Sequence, residues 1–507
     1  MSSGRRGRRF ESILTIAAAW LASVVVFCGS AQGADSKPAD AKPADAKAGD
    51  AKAASASAAD KVSYFRDVRP VLQEHCEGCH QPAKRSGEYV MTPFAALLKG
   101  GESGSPAIVP GKPADSNLLS QITPSDSGKG RGKAEMPKGK DALSAAQIDL
   151  IRRWIAEGAV DDTPASAAAA FDASHPPVYH LPPVLTSIDF SPDGKLLAVS
   201  GYHEVLLWKA DGSEMVARLV GLSEKIQSLA FSPDGKLLAA VGGSPARLGE
   251  IQIWDVEHRK LALSVPMTYD TLYGVSWSPD GTRVAFGCAD NTVRAIDAHS
   301  GKQVLYQGAH NDWVLGTVFT KDASHLVSVS RDRSMKLIEV ATQRFIDNIT
   351  SITPGALKGG LASVDRNPKE DEVVVGGADG VPKIYHIYRP PGKSRRIGDD
   401  DNFIRQFDAL PGRLYAVEYS RDATRIVAGS SSQGTGEIRV YDAANPRLIC
   451  KFQGQPGPIY SARFSPDGKV VAAAGFSGKV LLMDAATGKL VKEFMPVPLA
   501  GPVTAKK

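Results

Sequence analysis

Two kinds of hydrophobic periodicity divide this chain. Between residues 61 and 162 the apolar positions recur at the three- and four-residue spacing of amphipathic helices. Between residues 179 and 500 short apolar runs alternate with polar positions and are separated by turn residues, which is typical of β-strands. The pattern therefore predicts a small helical domain (61–162) and a larger all-β domain (179–500), joined by an Ala-, Ser- and Pro-rich linker (163–178).

Two predicted helices bound the helical domain. The first runs from Tyr64 to Glu74 and contains Pro70, so its regular part is expected to begin at that proline. The last begins at a capping box, Ser144-x-x-Gln147, and continues with an apolar stripe. The stripe comprises Ile148, Ile151 and Ile155, flanked by Leu150 and Trp154.

The all-β domain is a series of repeats. Ser-Pro-Asp-Gly occurs four times, each time after a strand that ends in an aromatic residue, and weakened copies occur three more times. Such a turn favours a β-hairpin, because proline sets its first corner and glycine tolerates its last position. Since one propeller blade takes about 40–45 residues, the repeats predict a seven-bladed β-propeller. The equivalent strand ends are Phe190, Phe231, Trp277, Phe319, Asp365, Tyr419 and Phe464.

Residues 76–80, Cys-Glu-Gly-Cys-His, carry the most specific chemistry in the sequence. Cys-x-x-Cys-His is the attachment sequence of a c-type haem. Cys76 and Cys79 would form the two thioethers to the haem, and His80 would be the proximal ligand of the iron. A zinc half-site needs a second cysteine pair at short range, and a redox dithiol needs a βαβ context; neither accompanies this motif.

Met136 is the candidate for the distal iron ligand. It lies with Pro137 in a glycine-rich loop before the last helix, where the chain can cross the other side of the haem. Met91 follows His80 too closely in sequence to reach that side, and we expect it to be a core residue. His75 is expected to face solvent.

The helical domain resembles class I mono-haem cytochromes c, and especially the short planctomycete-type cytochrome c. The resemblance implies electron transfer through one covalent haem c, with Cys76 and Cys79 as thioether sites, His80 as proximal ligand and Met136 as distal ligand. The family often has two prolines after this methionine, whereas Lys138 stands second here. The matching stretches are 64–70, 76–80, 95–101, 108–113, 136–137 and 143–159.

The all-β domain resembles WD40 repeats, although only Trp254-Asp255 keeps the full dipeptide at the end of a third strand. In the fourth blade, His310, Trp313, Ser330 and Asp332 stand where the stabilising His–Asp network of the family would be. The resemblance therefore implies structural roles for these four residues. It also implies that the domain docks or scaffolds protein partners.

The β-domain carries no hydrolase, metalloprotease or phosphate-loop motif and no second haem-attachment sequence. Its cysteines, Cys288 and Cys450, lie in different blades and are expected to be buried free thiols. The sequence thus predicts one haem.

The N-terminal residues 1–33 have a basic head, an apolar run and small residues at the end, which predicts a cleaved signal peptide and export to the periplasm. The alternative is a retained membrane anchor. Residues 34–60 repeat Ala, Lys, Asp and Pro and predict a disordered tether, and residues 501–507 are a short tail. With 60 basic and 55 acidic residues, bulk charge does not favour a nucleic-acid binder.

These features favour an exported cytochrome that carries single electrons and uses its propeller as a docking module, not a stand-alone catalyst. Two alternatives remain: an oxidoreductase with a substrate site in the propeller channel, and a haem-based sensor. Two longer hairpins, 242–249 and 431–436, are the expected partner-binding loops of the propeller. The redox partner is expected to be acidic, because a basic loop brackets Met136. Its cations are Lys129, Arg131, Lys133, Lys138 and Lys140.

Overall fold

The computed structural model describes residues 61–81, 84–92, 94–124, 133–163, 171–350, 359–392, 400–454 and 456–500. The predicted signal peptide, the tether and the C-terminal tail lie outside the described residues, as do Lys129 and Arg131 of the basic loop. No helix within the described ranges is long and apolar enough to cross a membrane.

The described part of the helical domain contains four short α-helices. Its first helix is preceded by a π-helical turn (Tyr64–Val68), so the regular helix begins beside Pro70, as the sequence predicts. Two very short strands, β1 (His80–Gln81) and β2 (Lys84–Arg85), pair with each other after the cysteine motif. The α-helices are α1 (Arg69–His75), α2 (Phe94–Lys99), α3 (Asn117–Ile122) and α4 (Ala145–Ala156).

The capping box of α4 is confirmed. The Ser144 hydroxyl accepts a hydrogen bond from the Gln147 N–H, and the Gln147 side chain accepts one from the Ser144 N–H. These two bonds satisfy N–H groups that the helix itself leaves free. The predicted apolar stripe and Trp154 are buried and pack in one core with Val68 and Leu72.

The described residues of the β-domain form seven antiparallel blades of a propeller. Blades 1 and 2 are continuous, because the long strand β6 (Met215–Phe231) completes blade 1 with its first half and begins blade 2 with its second half. Blade 1 also has β3 (Ile188–Phe190), β4 (Leu196–Ser200) and β5 (Tyr202–Lys209), and blade 2 has β7 (Leu237–Ser244), β8 (Leu248–Asp255) and β9 (Lys260–Thr268).

Blades 3 to 7 have four strands each, in sequential order. The strands of blades 3 and 4 are β10 (Leu272–Trp277), β11 (Arg283–Cys288), β12 (Val293–Asp297), β13 (Gln303–Gln307), β14 (Val314–Phe319), β15 (His325–Ser330), β16 (Met335–Glu339) and β17 (Phe345–Asn348). Those of blade 5 are β18 (Leu361–Arg366), β19 (Glu372–Gly377), β20 (Lys383–His386) and β21 (Phe403–Gln406). Those of blades 6 and 7 are β22 (Arg413–Tyr419), β23 (Arg425–Ser431), β24 (Ile438–Asp442), β25 (Arg447–Lys451), β26 (Ile459–Phe464), β27 (Val470–Gly475), β28 (Val480–Asp484) and β29 (Leu490–Phe494).

The predicted strand end at Asp365 is wrong by one residue. The inner strand of blade 5 ends at Arg366, which pairs with Val373 as Phe319 pairs with Leu326 in blade 4. The error arises because blade 5 has no aromatic residue before its turn to mark the strand end. Asp365 is instead one residue inside the strand, at a position whose side chain reaches the next blade.

Polar side chains of the inner strands connect neighbouring blades around the channel. The Ser187 hydroxyl accepts a hydrogen bond from the Leu229 N–H of the next blade at 3.0 Å, and the Asp189 carboxylate accepts one from the Phe231 N–H at 2.8 Å. Each bond gives an acceptor to an N–H on the open edge of an inner strand. The arrangement recurs from Ser228 to Val275, Ser363 to Val417, Asp365 to Tyr419 and Glu418 to Phe464.

The same kind of bond joins the last blade to the first. The Ser461 hydroxyl of blade 7 accepts a hydrogen bond from the Ile188 N–H of blade 1 at 3.2 Å. Outside the blades, Tyr179 forms a parallel bridge with Leu499, and the Ala500 N–H donates to the Tyr179 carbonyl at 2.8 Å. The two ends of the β-domain are therefore bound to each other.

The fourth blade contains the expected His–Asp pair. Nδ1 of buried His310 lies 3.0 Å from Asp332 Oδ2, and its Nε2 lies 2.8 Å from the Ser328 hydroxyl. The Ser330 hydroxyl accepts a hydrogen bond from the Asp332 N–H at 3.1 Å and donates to the Asp312 carbonyl. Trp313 is 38% exposed and stacks on the ring of Tyr273. The network thus includes Ser328, which the sequence does not single out, and leaves Trp313 outside. Cys288 and Cys450 are buried free thiols, as predicted.

We expect Ser461→Ala to lower the free energy of unfolding of the propeller by about 1–3 kcal/mol, because the buried Ile188 N–H loses its acceptor. Chemical denaturation followed by tryptophan fluorescence measures this change. Ser213→Ala is the control, since Ser213 is exposed and water can replace its hydroxyl. Equal stability of the Ser461→Ala variant and the unaltered protein would show that this bond does not hold blades 7 and 1 together.

Candidate haem site

The cysteine motif forms a single turn at the end of α1. The N–H groups of Cys79 and His80 both donate to the Cys76 carbonyl, at 3.0 and 3.1 Å. The turn places two thiols and one imidazole on a short stretch of backbone, and both cysteines are free. This arrangement fits the chemistry of covalent haem attachment, which needs two uncombined thiols followed by an axial imidazole.

The two thiols have different surroundings. Cys76 packs against the core of the helical domain, and burial raises the pKa of its thiol to about 12. Cys79 is exposed. The Cys76 thiol therefore lies against the core and the Cys79 thiol at the domain surface. A haem attached to both cysteines would be held between core and surface.

The His80 imidazole has a buried nitrogen that the protein does not satisfy. Its Nδ1 has no hydrogen-bond partner among the described residues, and the ring lies 5.4 Å from that of Tyr89. Burial lowers the pKa of His80, which favours the neutral imidazole with a free lone pair. A buried nitrogen that lacks a partner is costly by itself and suits a residue that binds iron.

Met136 packs, half-buried, against the same core as Cys76. Its N–H donates to the Gln121 carbonyl at 2.9 Å, which ties the loop to the end of α3. Met91, in contrast, is 1% exposed within the core, as expected of a packing residue. The donor set of Cys76, Cys79, His80 and Met136 thus fits a c-type haem, while the role of Met136 as the distal ligand stays a prediction.

The expectation that His75 faces solvent is wrong. Its side chain is largely buried, and its Nε2 lies 3.2 Å from the Gln147 amide nitrogen in the capping box of α4. The capping box holds the Gln147 side chain at the start of α4, within reach of the last residue of α1. His75 therefore links the two helices that flank the site.

Sequence reasoning missed that the haem-attachment turn lies against the propeller. The described residues of both domains belong to one compact unit. A side chain at Gly78 would overlap the Ser264 carbonyl of β9, and Pro266 lies 3.5 Å from the same point. Next to it, the Lys84 ammonium donates to the Ala262 carbonyl at 3.0 Å. Neither domain carries a sequence motif that predicts this contact. A glycine at position 78 gives no signal by itself, because glycine is common in loops for other reasons.

Glu77, the other residue between the two cysteines, is 4% exposed. Burial raises the pKa of its carboxyl to about 7; the negative charge of Glu250 adds to the rise and the positive charge of Arg69 opposes it. Glu250 belongs to blade 2 and is 1% exposed. Its carboxylate accepts hydrogen bonds from Ser223 at 2.7 Å, from Gln252 at 2.8 Å and from Ser264.

The propeller channel contains a cavity of about 330 Å³, lined by the inner strands of all seven blades. Tyr273, Tyr415 and Tyr460 contribute aromatic lining. The Arg463 guanidinium of blade 7 lies 3.5 Å from the Glu418 carboxylate of blade 6. Several of the hydroxyls that line the cavity form hydrogen bonds with the backbone of a neighbouring blade. These hydroxyls therefore stabilise the contacts between blades.

Comparison with known proteins gives separate matches for the helical domain and for the β-domain. Residues 76–138 match the planctomycete cytochrome C family, and residues 177–209, 214–255, 266–297 and 446–484 match WD-domain G-beta repeats. The chain is 23% identical over 242 residues to the serine-threonine kinase receptor-associated protein of Gallus gallus, covering 43% of this chain and 68% of that protein. It is 24% identical over 246 residues to periodic tryptophan protein 2 of Arabidopsis thaliana (48% of this chain, 25% of that protein). It is 23% identical over 300 residues to the WD repeat-containing protein 26 homolog of Arabidopsis thaliana (58% and 47%).

We expect Glu77→Gln to raise the melting temperature of the protein above pH 7 and to leave it nearly unchanged at pH 5. The pKa of Glu77 is raised from 4.5 to about 7 in the folded protein. Between pH 4.5 and about pH 7 the folded chain holds a proton on Glu77 that the unfolded chain releases, so the free energy of unfolding falls as the pH rises through this window. Glutamine does not titrate, so the Glu77→Gln variant does not lose stability in this way.

Calorimetric scans of both proteins from pH 5 to pH 8 measure the difference. Glu135→Gln, at an exposed position, is the matched control and should show no pH-dependent difference. A constant difference between Glu77→Gln and the unaltered protein across the range would contradict the burial of this carboxyl.

Proposed function

We propose that this chain, which joins a planctomycete cytochrome c domain to a WD40 β-propeller, is an exported electron carrier. It would bind one covalent haem c through Cys76 and Cys79 and dock to its partners through surfaces of both domains. The observation that carries the proposal is the turn at residues 76–80, where two free thiols and an imidazole with a partnerless nitrogen come together. A haem bound there supplies a one-electron couple.

The residues of the chain account for what such a carrier needs. Cys76 and Cys79 would hold the haem covalently, and the neutral imidazole of His80 would offer its lone pair to the iron. Met136, tied to α3 through its N–H, is available as the distal ligand. Histidine with methionine favours a higher reduction potential than many other ligand pairs, which suits an electron carrier.

Export to the periplasm is part of the proposal. It is supported by the basic head and the apolar run within residues 1–33. Covalent attachment to a Cys-x-x-Cys-His motif in bacteria takes place outside the cytoplasm, which agrees with export. If the N-terminal segment is retained, the protein would be tethered to the membrane.

The redox partner is proposed to be an acidic protein that docks beside Met136. Lys133, Lys138 and Lys140 of the basic loop are exposed, and Glu135 is the acidic residue among them. Exposed charges of one sign speed the encounter with an oppositely charged partner. Loops of the propeller would then select or hold further protein partners.

Of the two loops predicted to bind partners, 242–249 is not a free loop. It extends the β7–β8 hairpin, and Arg247 at its tip lies over the ring of Phe65 in the helical domain, 5.7 Å from the ring centre. The hairpin around residues 431–436 ends in a tight turn between Ser432 and Thr435. We propose that this second hairpin belongs to the surface offered to external proteins.

The channel cavity supports an alternative, an oxidoreductase that binds a small substrate inside the propeller. Its volume is at the lower end of the range typical of ligand sites. However, hydroxyls such as those of Ser187, Ser228 and Ser461 are already bonded to neighbouring blades. Electron transfer with protein docking therefore remains the function that we favour.

We expect Met136→Ala to keep the covalent haem, because Cys76 and Cys79 are unchanged, and to lose the spectrum of a methionine-ligated iron. Absorption spectra of the oxidised protein in the near infrared, where the methionine-to-iron charge-transfer band appears, measure this. Met91→Leu is the control and should keep the band. If the band survives in Met136→Ala, another residue is the distal ligand.

We expect the bimolecular rate of electron transfer to an acidic partner to fall as salt shortens the Debye length from about 30 Å at 0.01 M to about 8 Å at 0.15 M. Changing Lys133, Lys138 and Lys140 to Glu should slow the reaction at low salt and leave the haem spectrum intact. Stopped-flow kinetics measure both effects. A rate that responds to neither change would mean that these lysines only keep the loop solvated.

A further inference from the structure

The contact between the two domains involves the very segment through which a haem is attached. On the propeller side it comprises Ala262, Ser264 and Pro266 of β9, with Arg247 and Tyr269 beside them; we call these residues the blade-2 wall. On the helical side the partners of the wall come from the π-helical turn, from α1, from the turn that follows α1 and from β2. They are Phe65, Glu74, Gly78 and Lys84.

Gly78 makes the closest of these contacts. Its backbone lies so near the Ser264 carbonyl that any side chain at this position would overlap the carbonyl oxygen. The overlap is with backbone, which cannot turn aside as a flexible side chain would. Glycine between the two cysteines is therefore required by the propeller and not by the attachment chemistry, which leaves both intervening positions open.

Polar groups at the margin hold the wall in place. The Lys84 ammonium donates to the Ala262 carbonyl, and the Tyr269 hydroxyl donates to the Glu74 carboxylate at 3.1 Å. Arg247 adds a cation–π contact with Phe65. Glu74 and Lys84 flank the segment 76–80 in the chain, so the propeller meets the helical domain at several points and not at Gly78 alone.

Within the segment 76–80, the two residues between the cysteines are shielded from water, whereas Cys79 is exposed. Gly78 is buried, and Glu77 and Glu250 are 4% and 1% exposed. The donors to Glu250 are Ser223, Gln252 and Ser264 of the propeller, and the negative charge of Glu250 adds to the rise in the pKa of Glu77. Burial raises the pKa of Glu77, as expected where water is excluded.

We propose that the propeller is part of the haem site: the blade-2 wall closes over the attachment turn at Gly78, excludes water from that side of the turn, and holds the reduction potential of the bound haem above the value that the helical domain alone would set. The physical reason is that water stabilises the more highly charged oxidised iron, so a drier site favours the reduced form. Because Gly78 lies between Cys76 and Cys79, the residue in contact with the wall connects the two attachment points.

This inference rests on the proposed function, since it needs a bound haem, but it can fail separately. A pyridine haemochrome spectrum of the purified protein first establishes whether covalent haem c is present. Absence of haem would overturn the proposed function and this inference together. With haem present, the variants below test the inference alone.

The main variant changes only the propeller, so it leaves every residue of the haem domain in place. It combines Arg247→Glu with Tyr269→Ala, both at exposed positions, and removes the cation–π contact and the bond to Glu74. We expect small-angle X-ray scattering to show a larger radius of gyration and redox titration to show a lower potential, with unchanged haem content. The matched control combines Arg344→Glu with Phe476→Ala, at exposed positions in blades 4 and 7, and should change neither quantity.

A second variant changes the helical side of the same contact. Gly78→Ala introduces the overlap with the Ser264 carbonyl and should also separate the domains and lower the potential. Gly308→Ala is its control, because a side chain there meets open space. If separated domains keep the potential of the unaltered protein, or if the propeller double variant leaves both scattering and potential unchanged, the propeller is not part of the haem site.

Discussion

The inner strand of each blade leaves one backbone edge facing the central channel, and the N–H groups on that edge need acceptors that a neighbouring strand cannot supply. At several junctions the preceding blade supplies them from its own inner strand, through side chains such as Ser187, Asp189 and Ser461. Because each bond crosses from one blade to another, it satisfies the backbone and fixes the position of the next blade in the same step. The blades are thus held at a defined spacing around the channel.

That spacing determines which surfaces the propeller can offer. Blade 2 presents the edge of β9 and an extended β7–β8 hairpin, and these two features receive the helical domain. Only a rigid edge can hold a backbone carbonyl such as that of Ser264 against Gly78 without yielding. The order of the ring and the covering of the attachment turn are therefore connected, although they lie in different domains.

The helical domain is small, and its core is built from the same residues that hold the candidate site. Trp154, Ile151 and Leu72 form a packed centre against which Cys76 and Met136 rest. His75 joins α1 to α4 through Gln147, so the turn that carries the cysteines is anchored at its start. A domain of this size has little apolar surface to bury, and the contact with blade 2 adds to what it can bury.

Local patterns in the sequence predicted much of the architecture. The capping box at Ser144 and Gln147, the helix start beside Pro70 and the repeated Ser-Pro-Asp-Gly turns each act over a few residues, and each is found in the structure. The cysteine motif is of the same kind, since two thiols and a histidine on one turn need nothing distant to come together. Where the local pattern weakens, as before the turn of blade 5, the predicted strand end at Asp365 is off by one residue.

The sequence by itself thus determined the two kinds of domain, the number of blades and the residues that are candidates for attaching a haem, because all of these depend on spacing along the chain. Only the tertiary structure decided what Gly78 contacts, that Glu77 is buried, that Arg247 meets the helical domain, and that His75 is covered. Those contacts join residues far apart in the chain, and the glycine, glutamate or arginine involved would look the same in a solvated loop. Their meaning comes from the packing of one domain on the other, which no pattern within either domain encodes.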